Sequence, residues 1–286
     1  MKLAKSDSTA KPILKWAGGK RHIAALIESY FPPNWRAGAY YEPFLGGGAM
    51  YFHLLPERSH ISDLNTCLIG FYKHLQKGHL TLIEGINEQA DYFNKLEEES
   101  QKLHFYVLRE RFNKADKSSI DSAVLIYCIN KLCFNGLYRE NSKGEFNVPF
   151  GQKKHLPKAD VNDFENAAMA LAGATIGNQD FAEATKSAKS GDIVYFDPPY
   201  VPINVTASFT SYQAEGFSLE EQKRLAKLMS ELKEKGIFAV CSNSSSDMTR
   251  EIYKEHLQYE IDAPRMVSAK SSGRGIVKEL VITNFT

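Results

Sequence analysis

Asp197-Pro198-Pro199-Tyr200 follows the apolar run Ile193 to Phe196 and groups an acid, two rigid residues and an aromatic ring in four positions. The prolines stiffen the backbone and remove two N–H donors. The Asp197 carboxylate and the Asp197 and Pro198 carbonyls are thereby left as acceptors beside an aromatic face. Such a group suits a planar amine, whose exocyclic NH2 donates to the oxygens while its ring stacks on Tyr200. A plain strand-ending turn is the bland alternative for the same four residues.

Tyr41-Glu42-Pro43-Phe44-Leu45-Gly46-Gly47-Gly48 lies between a predicted strand and a helical stretch, Ala49 to Leu55. Glycines at a strand-to-helix turn let a ligand approach the backbone, and in open α/β sheets ligands bind outside the carboxyl ends of strands. The spacing is not G-x-G-x-x-G, which disfavours a dinucleotide pyrophosphate. Asp63 ends the next predicted strand, where an acid can accept from ribose hydroxyls. Together these features point to a cofactor that contains a nucleoside and lacks a pyrophosphate.

These residues need a sheet to hold them. Short β-rich segments recur at Ala39 to Glu42, His60 to Asp63, Ala174 to Asn178, Asp192 to Asp197, Ile237 to Ser242, Tyr259 to Met266 and Lys278 to Phe285. A helix is predicted over Leu219 to Lys235, with Leu225, Leu228, Met229 and Leu232 as its apolar stripe and Ser218 with Glu221 as a capping box. Alternating strands and helices imply a mainly parallel α/β sheet. The alternation breaks between Thr66 and Ala172, where Leu68 to Leu75, Leu103 to Phe112 and Ala123 to Leu132 have helical periodicity. The expected division is therefore a catalytic domain made of residues 1–65 and 173–286 and an insertion of residues 66–172. Near the end of that insertion, Tyr138 to Phe150 surrounds the polar turn Asn141-Ser142-Lys143-Gly144, which suggests a β-hairpin or an ordered loop.

With 286 residues, 43% of them hydrophobic, the chain can bury a substantial core. No apolar run reaches the ~18 residues of a membrane span, and Met1 to Lys11 is too polar for a signal peptide, so a cytoplasmic place is expected. Cys67, Cys128, Cys133 and Cys241 lack zinc-ligand spacing and read as reduced, buried thiols, with neither disulfide nor metal. The formal charge of +1 hides an uneven distribution. Lys2, Lys5, Lys11, Lys15, Lys20, Arg21 and Arg36 crowd the first residues, and Arg139, Lys143, Lys153, Lys154 and Lys158 gather later. Such clusters permit a polyanionic partner and equally suit solvated surface.

The two motifs above, together with Leu14-Lys15-Trp16-Ala17-Gly18-Gly19-Lys20 and the central Phe134-Asn135-Gly136-Leu137-Tyr138-Arg139 and Gly144 to Gly151, resemble the Dam-type DNA adenine N6-methyltransferases, whose cofactor motif, target-recognition insertion and catalytic motif come in this order. The resemblance spans Pro12 to Phe285. It implies a Rossmann-like class I methyltransferase sheet with an inserted helical target-recognition domain and hairpin. It also implies that Trp16, Ala17, Gly18, Lys20, Glu42, Phe44, Gly46, Asp63, Asp180, Phe181 and Asp197 surround S-adenosylmethionine.

On this resemblance Asp197 and the Pro198 carbonyl accept the two hydrogens of adenine N6, which aligns a weakly nucleophilic nitrogen with the sulfonium methyl. No metal is required. The adenine must leave the DNA stack to reach them and stacks on Tyr200, with Phe209 and Tyr212 near the pocket. GATC is the implied site: Arg139 can pair with guanine O6 and N7, Leu137 and Pro149 offer apolar surface to a thymine methyl, Phe134 can fill the gap left by the flipped base, and Lys15 is the candidate for the other guanine. Asn135 suits either a base or phosphate contact or a turn. Relatives with overlapping motifs read GATATC, and methylation of RNA or a DNA-binding role without catalysis are the rival readings. Oligomeric state is not encoded in these motifs.

Overall fold

The structure is a computed structural model that describes residues 10–201, 217–264 and 276–286. Its chain divides into two compact units. The first comprises Gly46–Leu55, Asp63–Asn178 and the chain up to Gly19; the second comprises Lys20–Leu45, Pro56–Ser62 and the chain from Gln179 onward.

Among the described residues seven strands make up the sheet: β1 (Tyr40–Glu42), β2 (Ser59–Ser62), β3 (Ala174–Gly177), β4 (Ile193–Phe196), β5 (Phe238–Ser244), β6 (Leu257–Pro264) and β7 (Ile276–Thr283). The six that belong to the second unit run β2-β1-β4-β5-β7-β6. β2, β1, β4 and β5 are parallel, whereas β7 runs antiparallel between β5 and β6. This mixed α/β arrangement is a Rossmann-like sheet. All four residues of β4 are buried, as a parallel strand covered on both faces requires, and this explains its uninterrupted apolar sequence.

Chain order reverses between β1 and β4, which pair directly through Tyr40 with Ile193 and Tyr41 with Val194. A sheet of this kind opens a crevice at its switch point, beyond the carboxyl ends of the strands. The residues leaving β1 and β4 are those of the glycine-rich turn and of the Asp-Pro-Pro-Tyr motif. One face of the sheet packs its Val194, Phe196, Ala239 and Cys241 against Leu225, Met229 and Leu232 of helix Leu219–Glu234. Ser218 caps that helix by accepting from the Glu221 N–H at 3.3 Å.

Helices dominate the first unit. The longest, Thr66–Phe93, starts at an Asn65 cap that accepts from Leu68 N–H, and it is interrupted at Gly78, whose φ of -153° is not helical. Only its first half is legible as periodicity, because Gln76-Lys77-Gly78-His79 interrupts the apolar stripe before Leu82, Ile83, Ile86, Ala90 and Phe93 resume it. Helix Ile120–Leu132 is apolar nearly all round, and it is buried against Thr66–Phe93 and Glu98–Lys114. The four cysteines are free and buried, as expected. No helix among the described residues is long and apolar enough to cross a membrane.

Candidate active site

In the second unit, Asp197 follows β4 and its side chain is 19% exposed, with the Lys20 ammonium 2.9 Å from Oδ1. Lys20 is itself buried, and its Nζ lies 4.5 Å from the centre of the Tyr200 ring. A cation thus occupies both features read from the sequence as an amine site, the acid and the aromatic face. Burial raises the Asp197 carboxyl above its ordinary range; Lys20 opposes that rise and Glu279 adds to it. Burial also raises the Tyr200 phenol, helped by Asp197 and Glu279, so it stays protonated and donates to Glu279 Oε2 at 2.8 Å. No donor among the described residues is bonded to the Pro198 carbonyl.

Glu42, at the end of β1, is buried and accepts from the Tyr40 hydroxyl at 2.7 Å. Two residues on, Phe44 stacks on Phe181 with ring centres 5.5 Å apart and meets Phe217 edge-on at 5.4 Å. Asp180 is bound by the protein itself: it accepts from Ala182 N–H to start the short helix Phe181–Ala184 and takes Arg224 through both oxygens, at 2.9 and 2.5 Å. Arg224 holds the Asp180 carboxyl below its ordinary range. An adenine amine would meet a carboxylate already paired, and its nearest neighbour in sequence, Phe181, is buried under the Arg224 guanidinium.

In the first unit, both Asp63 oxygens accept backbone N–H groups, from Gly46 and from Asn65, each at 2.9 Å. The acid therefore shapes the glycine turn as well as offering its remaining lone pairs. Gly46 has φ +49°, and a Cβ there would stand 3.0 Å from the Trp16 ring; one on Gly47 would stand 3.1 Å from Trp16 Cβ. Glycine is needed so that Trp16 can lie on the turn. The Trp16 ring also stacks with that of Tyr138, centres 5.0 Å apart. Ala17 and Gly18 are exposed.

The same unit gathers most of the residues assigned to base reading. Phe134 is 51% exposed, and its N–H donates to the Pro149 carbonyl at 3.0 Å, so these two surface residues are neighbours. Asn135 adopts φ +55°, the left-handed conformation of a turn-forming asparagine. Leu137 is half-buried. Arg139 is exposed, with its Nε bonded to Asn147 Oδ1 at 2.8 Å. The Asn141 to Gly144 turn is present, closed by Gly144 N–H to Asn141 O at 2.9 Å, and an isolated antiparallel bridge joins Glu140 to Phe146. Lys15 exposes its side chain while its backbone is held by Asn130, which accepts from Lys15 N–H at 2.9 Å and donates to Lys15 O at 2.8 Å and Gly136 O at 3.1 Å. Phe209 and Tyr212 lie outside the described residues.

Asn130, Lys131, Tyr138 and Glu279 were not singled out by sequence reasoning. Lys131 donates to Ile13 O at 2.7 Å, and burial with nearby Lys15 pushes its ammonium down to about 8. One signal was available: Asn130 and Lys131 are polar residues directly after the apolar run Ala123 to Ile129 of their helix.

A family model described as D12 class N6 adenine-specific DNA methyltransferase matches residues 16–267. The chain is 38% identical to the type II methyltransferase M1.LlaDCHI of Lactococcus lactis subsp. cremoris over 99% of this chain and 98% of the relative. It is 38% identical to the type II methyltransferase M.MjaIII of Methanocaldococcus jannaschii, over 96% and 99%. To a DNA adenine methylase of Vibrio cholerae it is 34% identical over 95% of each chain. With a match of this extent the chain belongs to the D12 class N6 adenine-specific DNA methyltransferases.

Proposed function

We propose that this methyltransferase acts in the cytoplasm on duplex DNA, at adenine N6 within GATC, and that the adenine is flipped out of the stack to reach Asp197. The observation that carries this reading is the acceptor group at the end of β4: a half-buried carboxylate, a Pro198 carbonyl without a donor among the described residues, and the Tyr200 ring. An adenine still stacked in duplex DNA cannot reach such a recess, and extrusion costs a few kcal/mol that stacking on Tyr200 and two hydrogen bonds help to offset.

S-adenosylmethionine is the methyl donor of this family; when bound it supplies an electrophilic methyl on a sulfonium. The residues suit it by their chemistry. Glu42 and Asp197 are carboxylates that complement its cationic groups, Phe44 and Phe181 form an aromatic pair for its adenine, and Asp63 with Gly46 makes a backbone turn open to a ribose. Trp16, Ala17, Gly18, Lys20 and Asp180 complete the proposed contacts. Asp180 acts through the turn it caps, since Arg224 already holds its carboxylate.

Asp197 and Pro198 accept the two amine hydrogens and turn the N6 lone pair toward the methyl. Lys20 sits on Asp197 Oδ1, so the remaining lone pairs of the carboxylate serve the amine. The carboxylate is required in its charged form, so turnover falls as pH drops through the raised Asp197 titration. The proton shed by the methylated nitrogen passes to Asp197 or to water.

In this reading residues 66–172 recognise DNA, and residues 1–65 with 173–286 carry the transfer. Arg139 and Lys15 meet the guanines, Leu137 and Pro149 the thymine methyl, and Phe134 the vacated space, with Asn135 shaping the turn that presents it. Support comes from the exposure of Phe134, Pro149, Arg139 and Lys15 on backbone that is itself held in place. The test is methyl transfer from labelled S-adenosylmethionine to duplexes carrying GATC, each single substitution of it, and GATATC. Transfer confined to GATC is expected. Equal transfer to all of them, or preference for GATATC, overturns the site assignment.

A further inference from the structure

Tyr200 is flanked by three backbone polar groups, the Pro199 carbonyl and the N–H and carbonyl of Val201, and a side chain takes each of them. Gln222, on helix Leu219–Glu234, donates from Nε2 to Pro199 O at 2.8 Å. Asn243, on β5, accepts from Val201 N–H at 3.1 Å, and Ser244 donates from Oγ to Val201 O at 2.5 Å. The side chains are joined in turn: Gln222 Oε1 accepts from Asn243 Nδ2 at 3.0 Å and from the Tyr253 hydroxyl at 2.8 Å. Gln222, Asn243, Thr249 and Tyr253 have no exposed surface and Ser244 has 4%. Ser244 Oγ also meets Thr249 Oγ1 at 3.2 Å.

Buried polar networks of this kind are costly unless every member is satisfied, so their presence behind a reactive turn calls for a reason. Core packing alone is served better by apolar residues of the same volume. A methyl transfer depends on placing the acceptor oxygens within a fraction of an ångström, and a turn rich in proline has few N–H groups with which to anchor itself. Side chains from the neighbouring elements supply the missing anchors.

We infer that Gln222, with Asn243 as its partner, is a positioning residue for methyl transfer: it fixes the Pro199 carbonyl and thereby the direction of the Pro198 carbonyl and the Tyr200 ring. This rests on the assignment of Asp197, Pro198 and Tyr200 as the amine site. Gln222 touches neither substrate nor cofactor in this proposal and acts only through the turn.

Two variants test it. Gln222→Met keeps the volume and removes the donor to Pro199. Its kcat should fall about tenfold or more, the loss a small misplacement of reacting groups produces, while KM for S-adenosylmethionine and affinity for a GATC duplex stay within about twofold. Gln222→Glu adds a readout that a purely structural role would not move. Protonated, the new carboxyl can donate to Pro199 O and accept from Asn243 and Tyr253; ionised, it presents an oxygen to a carbonyl oxygen. Burial raises its titration, so its kcat relative to the unaltered enzyme should be near one at acid pH and should fall as pH rises. The two enzymes share Asp197, whose own titration cancels in that ratio.

If Gln222→Met does not fold, the Glu variant, compared at several pH values with its circular dichroism unchanged, carries the test alone. Unaltered kcat in Gln222→Glu across pH, or a loss confined to KM or to thermal stability, overturns the inference. Asp197→Ala separates the two levels: an active Asp197→Ala enzyme defeats the assignment of the amine site, whereas an inactive one beside indifferent Gln222 variants defeats only the positioning role.

Discussion

The turn after β4 and the segment from Phe134 to Gly151 are both irregular backbone that carries proposed contacts, yet they are built differently. Asp197 to Val201 is held by Gln222, Asn243 and Ser244 on its backbone and by Lys20 and Glu279 on its side chains, although Pro199 reaches solvent. Phe134 to Gly151 is anchored at intervals. Asn130 grips Gly136 O, Asn113 pairs with both the N–H and the carbonyl of Phe146, and Gly151 N–H returns to Leu132 O at 2.8 Å. Between these anchors Phe134, Asn135, Arg139 and Pro149 are exposed. Chemistry on a small group needs every acceptor fixed and dry, because electrostatic effects gain strength as water is excluded. Reading a duplex needs side chains that project, on a base rigid enough to keep their register.

The largest expected effect falls on the first region. Asp197→Ala should lower turnover at least ~100-fold, as loss of a preorganised charged or hydrogen-bonding group does, with the protein still folded and DNA affinity little changed. Single-turnover methylation checks it, and more than a few per cent of residual rate sinks the assigned role. The contrast between the regions also predicts that this loss is the same on every DNA sequence.

An intermediate effect belongs to the second region. Arg139→Ala should lose about 1 to 3 kcal/mol of discrimination at one outer base pair of GATC, the worth of a bidentate guanine contact. Lys154, which is exposed and pairs only loosely with Glu98 at 3.4 Å, is the control. Lys154→Ala should weaken all duplexes alike and reduce the salt slope by about one unit. Rates on each singly substituted duplex, with binding at several salt concentrations, distinguish the two. If Arg139→Ala slows every duplex by one factor, the arginine is a phosphate anchor and the comparison loses its second half.

The smallest effect concerns how the second region holds its tip. Asn141 Oδ1 accepts from Lys143 N–H at 2.9 Å and Glu145 N–H at 3.0 Å in a turn that solvent reaches. Asn141→Ala should cost only ~1 kcal/mol of stability, since water replaces what the side chain supplied. Urea unfolding measures this. A cost several times larger would mean that the tip is as tightly built into the fold as the catalytic turn.

Much of the sheet was legible because burial imposes a simple pattern. Ile193 to Phe196 is apolar without a break, a covered parallel strand must be, and the structure has it at β4. Alternation of strands and helices implied a mainly parallel sheet, and β2, β1, β4 and β5 are parallel. The second half of helix Thr66–Phe93 was obscured by the polar stretch around Gly78, where periodicity is lost although the chain carries on beyond the break.

What sequence determined by itself is local: which residues are stiff, which turn, which face is apolar, and which acid follows which strand. Those preferences are set by φ and ψ sterics and by the spacing of side chains along one element, and they need no partner. Only the tertiary structure decided that Asn94, Asn113 and Asn130 would each clamp both polar groups of one distant backbone residue, at Leu156, Phe146 and Lys15. It likewise decided that Arg224 would take Asp180, that Lys20 would face Asp197, and that Gln222 would stand behind Pro199. An asparagine or glutamine in a helix has the same local propensity whether it meets water or a buried carbonyl. Its role is set by which backbone group the fold brings within 3 Å and strips of water, and that is a property of packing between elements remote in sequence.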